Sequence, residues 1–520
     1  MASRVQTVEE RASQEEWRRR ANVVCVALKA SPYPDSLTIS KDWACVLVRQ
    51  GADKHLLLLS ESEPLIRDFR GKPCNVLSPD EPARVILCPL TPDNADALRR
   101  HAPFLAPVVP SRGLSIGTGD RLGVATPGHI RAIQGRGMQP VLAQQSIREM
   151  SRTERAPREV LDDAMWGVLQ TGYWDGYAAD ADHLKTPADI ALTLDAGFTM
   201  FTIDPGDFVD DSTGNAEVDD LAERIARLPW DALKCTPDEL RRLYADQNVT
   251  LAGRQGTLRL HLTPEDALRA AVKYGRAIAH TVALYRYLVG RCARERFAFE
   301  VAVDETETPT SAIEHFYVAS ELKRLGVQWE SLAPRFVGSF CKGIEYIGDL
   351  TQFRTEFGEH VLIAEHFGGY KLSLHSGSDK FKLYPIIAEL AGDLTHIKTA
   401  GTSYLEALRV VANAAPDLFR DILAFAKRRY LADKTSYHVS ADPTTIARPD
   451  ALPDRDLPGI LDEPGARQVC HVTFGSVLTT KGENGRPLFR DELISVLRRN
   501  EEAYYLRLEE HFGRHISPFV

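Results

Sequence analysis

The sequence lacks the marks of most familiar sites. Its eight cysteines (Cys25, Cys45, Cys74, Cys88, Cys235, Cys292, Cys341, Cys470) are scattered and form no CxxC pair. That argues against a disulfide framework or a zinc-finger site and suits the reduced thiols of a cytoplasmic protein. No Lys/Arg run with interleaved aromatics occurs, and the net charge is a mild −9 over 520 residues, so nucleic acid is not an expected partner. The opening "MASRVQTVEERASQEEW" has no apolar core of a secretory signal. No apolar run approaches the roughly 18 residues of a membrane span. "GTGDRLG" (117–123) begins like a dinucleotide fingerprint but lacks the last glycine, although its backbone N–H groups remain suited to a phosphate or carboxylate. GxxxxGK[ST], HExxH and HxH motifs are all missing.

What is present is an ordinary globular composition, 44% hydrophobic and 26% charged, with enough apolar surface for a large core. Residues 1–20 read as a charged helix or a frayed end. From Ala21 to about Pro110, "NVVCVAL", "ACVLV", "HLLLL" and "RVILCPL" read as strands of a small N-terminal α/β domain, 1–110. "APVVPSRG" (106–113) is the expected boundary because of its Pro and Gly content. Beyond it, "GLSIGTGDR", "PVLAQQS", "GYAADADH", "FTMFTID", "FAFEVAVDETET", "RFVGSF", "YKLSLHSG" and "LTHIKTAG" are strand candidates with helical patterns between most of them. Eight strands alternating with helices predict an α/β fold with a (β/α)8 TIM-like barrel over 111–520. "SYHVSAD" (436–442) is a ninth candidate. The stretch between Asp204 and Arg296 is too long for one crossover and predicts a helical insertion near 205–295.

The chemistry-bearing residues gather at the C-terminal ends of these strands, where barrel active sites lie. "YAADADHLK" places Asp180, Asp182 and His183 there, although a helix cap followed by "KTPAD" reads equally well. "HSGSDKF" brings His375 and Asp379, with a Gly/Ser turn and a capping Asp as the plainer reading. His396 and Lys398 share one strand face, and a lone histidine there is commonly structural. Glu300 alternates with Phe297 and Phe299 and shares a face with Ala298 and Ala302. If that face points inward, burial raises its pKa, as a general acid requires; an ion pair with arginine is the alternative. Histidines and carboxylates from several strand ends are the donors a mononuclear divalent metal site needs.

These motifs, "GTGDRLG", "AQQSIRE", "LDDAMWGV", "GYAADADHLK", "GFTMFTIDP", "FEVAVDETETPTS", "YKLSLHSGSDKF", "HIKTAGTSYLEAL" and "SYHVSAD", resemble the tagaturonate/fructuronate epimerase family of bacterial hexuronate catabolism from about Gly113 onward. The resemblance implies a metal-dependent epimerase with Asp182 as proton acceptor, Glu300 as proton donor, and His183 and His375 as metal ligands. His396 is added as a further ligand from the strand geometry. Lys342, Lys398 and Asp379 are the expected substrate-binding residues. The metal is a divalent cation, with Zn, Mn, Ni, Co and Fe all compatible with such ligands. The expected partner is a small-molecule sugar acid, with neither nucleic acid nor membrane, and a homo-oligomer is compatible with the sequence.

The two uronates differ at a hydroxyl-bearing carbon β to the ketone, so simple enolisation does not exchange it. Retro-aldol cleavage between the α and β carbons remains, with the metal acting as a Lewis acid. Bound nicotinamide is disfavoured by the missing fingerprint. The alternatives are a metal-dependent aldolase or lyase on a sugar acid, an epimerase of the neutral ketohexoses, and a non-catalytic sugar-acid binding protein.

Overall fold

A computed structural model describes residues 8–437 and 439–520. Its centre is a nine-stranded parallel sheet. From Ser115–Thr118 the order runs through Thr395–Thr399, Lys371–Leu374, Ser331–Ala333, Ala298–Ala302, Met200–Ile203 and Asp180–Leu184 to Gln145–Ser146, with Gln139–Val141 on the other flank. The two end strands are pieces of one run of chain. A parallel bridge between Val141 and Ala178 joins them to the segment before Asp180, with Ala178 N–H on Pro140 O and Leu142 N–H on Ala178 O, both 3.0 Å. The order thereby returns on itself, consistent with a TIM-like barrel.

Alternation along the strands decides what faces inward. In "AFEVA", Phe299 turns outward and meets Tyr285 of the long helix Pro264–Arg291 edge-on at 5.1 Å. Ala298, Glu300 and Ala302 therefore line the interior. The helices begin where the sequence supplies caps. Ser146 with Glu149, Thr186 with Asp189, Thr263 with Asp266, and Ser311 with Glu314 each form a reciprocal box. The cap after "ADADHLK" is thus Thr186, which leaves Asp180 and Asp182 for other work.

Residues 31–89 form a separate six-stranded antiparallel sheet. "NVVCVAL" is not one of its strands. It lies in the helix Val8–Ala27, whose Trp17, Ala21 and Val24 pack on the sheet while Val26 is 79% exposed. A period near 3.6, set by the charged residues before it, overrides the β-branched run. The strand Trp43–Gln50 buries both faces: Ala44, Val46 and Val48 under this helix, Trp43, Cys45 and Leu47 in the central core. Glu501, in the last long helix Glu501–Ile516, accepts from Lys54 (2.8 Å), Arg49 (3.1 Å) and Tyr33 (2.7 Å) and so ties this sheet to the C-terminal end.

Between Ile203 and Ala298 lie short helices, a hairpin (Gln247–Gly253 with Gly256–Leu262) and the helix Pro264–Arg291. "RFVGSF" is a loop; the strand is Ser331–Ala333, just before it, because the small "SLA" fills the interior beside Glu300. Of the ninth strand candidate, His438 lies outside the described residues, and Tyr437 and 439–442 are not strand. All eight cysteines are unpaired. Among the described residues, no helix is long and apolar enough to cross a membrane.

Candidate active site

Lys398 is the hub. Its buried ammonium lies 2.7 Å from Asp180 Oδ2, 2.8 Å from Asp182 Oδ1 and 2.7 Å from Glu300 Oε1, and donates to Thr202 Oγ1 at 2.8 Å. Thr202 in turn donates to Asp180 Oδ1 at 2.9 Å. Burial opposes the charge, but three carboxylates around the one ammonium hold the lysine charged, well above its ordinary range. Burial lifts Asp180 to about 6 against the pull of Lys398.

Asp182 and His183 are neighbours that strict alternation would send to opposite faces. The strand register slips between Ala181 and Leu184, and His183 adopts a left-handed φ of 56°. This bulge turns both side chains toward the strand ends. Asp182 accepts from Gln144 Nε2 at 2.8 Å and lies 3.1 Å from His183 Nδ1. Burial disfavours its charge, yet His183 and Lys398 beside it hold it well below the usual carboxylate range.

His375 reaches the same place from the end of Lys371–Leu374. Its ring stacks on that of His183, with centroids 4.9 Å apart. Nε2 lies 2.7 Å from Glu300 Oε1 and Nδ1 3.0 Å from Asp304 Oδ1. Burial opposes the imidazolium, but Asp304 and Glu300 raise the ring to about 9. Glu300 is fully buried and also receives a short hydrogen bond from Ser331 Oγ. The expectation that burial raises Glu300 is corrected here: Lys398 and His375 outweigh desolvation and hold it ionised, well below its ordinary value.

Asp182, His183 and His375 each offer a ligand atom within 4.8 Å of the others. One carboxylate and two imidazoles fit a divalent cation. A cation held there would take one nitrogen of His375 from its carboxylate, and the other carboxylate would orient the ring. His396 is not brought to them. It lies one inward position deeper, bonded through Nδ1 to Ser115 Oγ at 2.9 Å, and burial lowers it to about 3. Lys342 lines the cleft above the cluster with Arg121, Arg148, His471 and Tyr437. Asp379 does not line it. Its carboxylate binds His511 (2.6 Å) and Arg467 (2.7 Å) from the C-terminal helices.

Amides of the "GTGDRLG" turn are engaged within the protein. Asp120 occupies them, accepting from Leu122, Gly123 and Ala125 at 3.0, 2.8 and 2.6 Å. The glycines serve close packing: a Cβ at Gly119 would lie 2.6 Å from Ala400 O. Sequence reasoning assigned no role to Gln144, Arg121, Asp304 or His471. Gln144 stands in the quoted "AQQS", and its amide was the signal available.

The profile of the tagaturonate epimerase family matches residues 33–519. A tagaturonate/fructuronate epimerase of Thermotoga maritima is 42% identical over 430 residues, 83% of this chain and 85% of its own length. Two crystal structures of the fructuronate-tagaturonate epimerase of Cohnella laeviribosi share the fold. The complex with one glycerol has a TM-score of 0.88 at 36% identity, covering 98% of this chain and 99% of that one. The native form has a TM-score of 0.89 at 35% identity, covering 97% and 99%. A match over nearly the whole length makes the protein an enzyme of the isomerase class, and the chain belongs to the tagaturonate epimerase family.

Proposed function

We propose that the protein interconverts D-tagaturonate and D-fructuronate, inverting the carbon β to the ketone, and does so with a divalent metal cation. The observation that carries this reading is the ionised Asp182 beside Lys398 and the stacked His183–His375 pair, under a cleft whose rim includes Lys342. Asp182, His183 and His375 would hold the cation, which when bound supplies Lewis acidity toward the ketone and α-hydroxyl oxygens.

Asp182 is positioned as the base. It takes the proton of the β-hydroxyl, the β oxygen becomes a carbonyl, and the electron pair of the α–β carbon bond moves toward the ketone. The aldehyde turns its other face, the bond re-forms, and the proton returns to the β oxygen. Glu300 does not line the cleft, so it acts as donor through the groups it touches. Lys398 Nζ contacts both Asp182 and Glu300, and His375 Nε2 contacts Glu300. Lys398, held protonated by Glu300, can give its proton to the β oxygen, and the proton that Asp182 took then replaces it. Lys342 pairs with the substrate carboxylate, which distinguishes a uronate from a neutral ketohexose. The catalytic unit is 111–520, with residues 1–110 as a separate N-terminal unit, and the enzyme works in the cytoplasm.

The test is incubation of either uronate with purified, metal-analysed protein. Interconversion without release of free three-carbon fragments supports the epimerase. Accumulation of those fragments would make the enzyme a lyase.

A further inference from the structure

Two buried cations join the loops that carry His375 and Lys342. Lys380 is fully buried and has no carboxylate within 4.0 Å among the described residues. Its Nζ donates to three backbone carbonyls: Ser378 (3.0 Å) in its own loop, and Cys341 (3.0 Å) and Ile344 (2.5 Å) in the other. Arg467, 9% exposed on the helix Pro464–Thr479, donates Nε to Gly343 O at 2.7 Å and an Nη to Asp379 Oδ2 at 2.7 Å. Asp379 is anchored in turn by His511 Nε2 at 2.6 Å, and its own N–H donates to His515 Nε2 at 3.0 Å.

The carbonyls of Cys341, Gly343 and Ile344 bracket Lys342. Three of the four peptide units in this short, irregular segment are therefore held by cations from below and from the C-terminal helix. Gly343 itself sits at a φ of 72°, which only such fixed partners or a turn would select. The Lys342 side chain, by contrast, makes no hydrogen bond or ion pair among the described residues and lines the cleft on both sides of His375. Burying an ammonium is costly, and a methionine of similar length would fill the same space without that cost. The charge is informative because it fixes carbonyls that flank a free cation.

We propose that Lys380 and Arg467 are positioning residues that fix the 341–344 backbone so that Lys342 meets the substrate carboxylate. This rests on the reading of Lys342 as the carboxylate anchor. It also gives Asp379 a role: it holds Arg467 and the His375 loop in register with the C-terminal helices instead of touching substrate.

The experiment is a double-mutant cycle on the metal-loaded enzyme, with KM and kcat for the uronate and the melting temperature of each variant. Lys342→Ala raises KM about 10–100-fold, the range of a charge-assisted hydrogen bond. Lys380→Met raises KM about tenfold with kcat within about threefold, and Lys342→Ala/Lys380→Met is no worse than Lys342→Ala alone, because Lys380 acts through Lys342. Arg467→Lys, which keeps the charge but loses the fork spanning Gly343 and Asp379, behaves in the same way and serves if Lys380→Met does not fold. Effects that multiply in the double variants, or a fall in kcat at unchanged KM, overturn the proposal while leaving Lys342 as anchor. An unchanged KM in Lys342→Ala overturns the anchor reading and this proposal with it.

Discussion

Replacing Lys398 by methionine removes the cation that lies 2.7–2.8 Å from all three of Asp180, Asp182 and Glu300. Asp180 and Glu300 are fully buried and cannot turn to solvent, whereas Asp182 lines the cleft. Breaking a buried pair by deleting one partner costs about 3–5 kcal/mol. For 520 residues unfolding as one unit, the entropy of unfolding is about 1.1 kcal/mol/K, so the melting temperature falls by only about 3–5 °C at pH 8. The pH dependence is the sharper signature. Burial already lifts Asp180 to about 6 with the lysine in place, and without it Asp180 rises further. A carboxylate whose folded pKa exceeds its unfolded value, about 3.9, contributes stability below that value and loses it as pH rises through the folded pKa. The deficit of Lys398→Met is therefore larger at pH 8 than at pH 5.5, and Glu300→Gln in the same chain reduces it. Thermal unfolding at the two pH values measures this. A drop under about 1 °C at pH 8, or one equal at both pH values, would refute the assignment of Lys398 as the charge that balances the cluster.

His183→Ala and His375→Ala each lower the bound divalent metal measured by elemental analysis, whereas His396→Ala, which removes a ring bonded to Ser115, leaves it in place. Asp182→Asn keeps the fold but lowers kcat per bound metal by about 10²–10⁴-fold, and a loss of only a few-fold would make Asp182 a structural partner of Lys398. His129, buried beside Ser403 and lowered to about 4 by desolvation, stays neutral in the fold while the unfolded chain protonates below about 6.5. Stability thus falls as pH drops from about 6.5 to 4, by about 1.4 kcal/mol per pH unit from this group. His129→Gln should flatten the pH dependence of the urea midpoint by that share.

The strand ends were legible because alternation and turn chemistry are local. Seven of the eight barrel runs overlap the segments the sequence marked, and six of the polar residues read there, Asp180, Asp182, His183, Glu300, His375 and Lys398, meet in one cluster. His396 shows the limit of face reading. Two residues along a strand are about 6.6 Å apart, so His396 and Lys398 share a face but not a depth, and only the register against Ser115 reveals which is deeper. Asp379 follows the turn after His375 away from the cleft because His511 and His515 wait for it, 132 and 136 residues later in the chain. No local pattern carries such a contact. The ionisation of Glu300 was hidden for the same reason: its burial can be read from Phe297 and Phe299, but its cation stands 98 residues away. "NVVCVAL" was misread because a β-branched run is a weak prior once the polar residues before it set a helical period.

The most direct test is proton NMR of D-tagaturonate or D-fructuronate turned over by the metal-loaded enzyme in deuterium oxide. Cleavage and re-formation of the α–β carbon bond leave the hydrogen of the β carbon in place. Full interconversion of the two uronates with no deuterium at the epimerised carbon is therefore expected. Deuterium at that carbon would show that its bond to hydrogen is broken, and Asp182 and Glu300 would then be the groups that remove and replace that proton; no interconversion at all would contradict the assigned function itself.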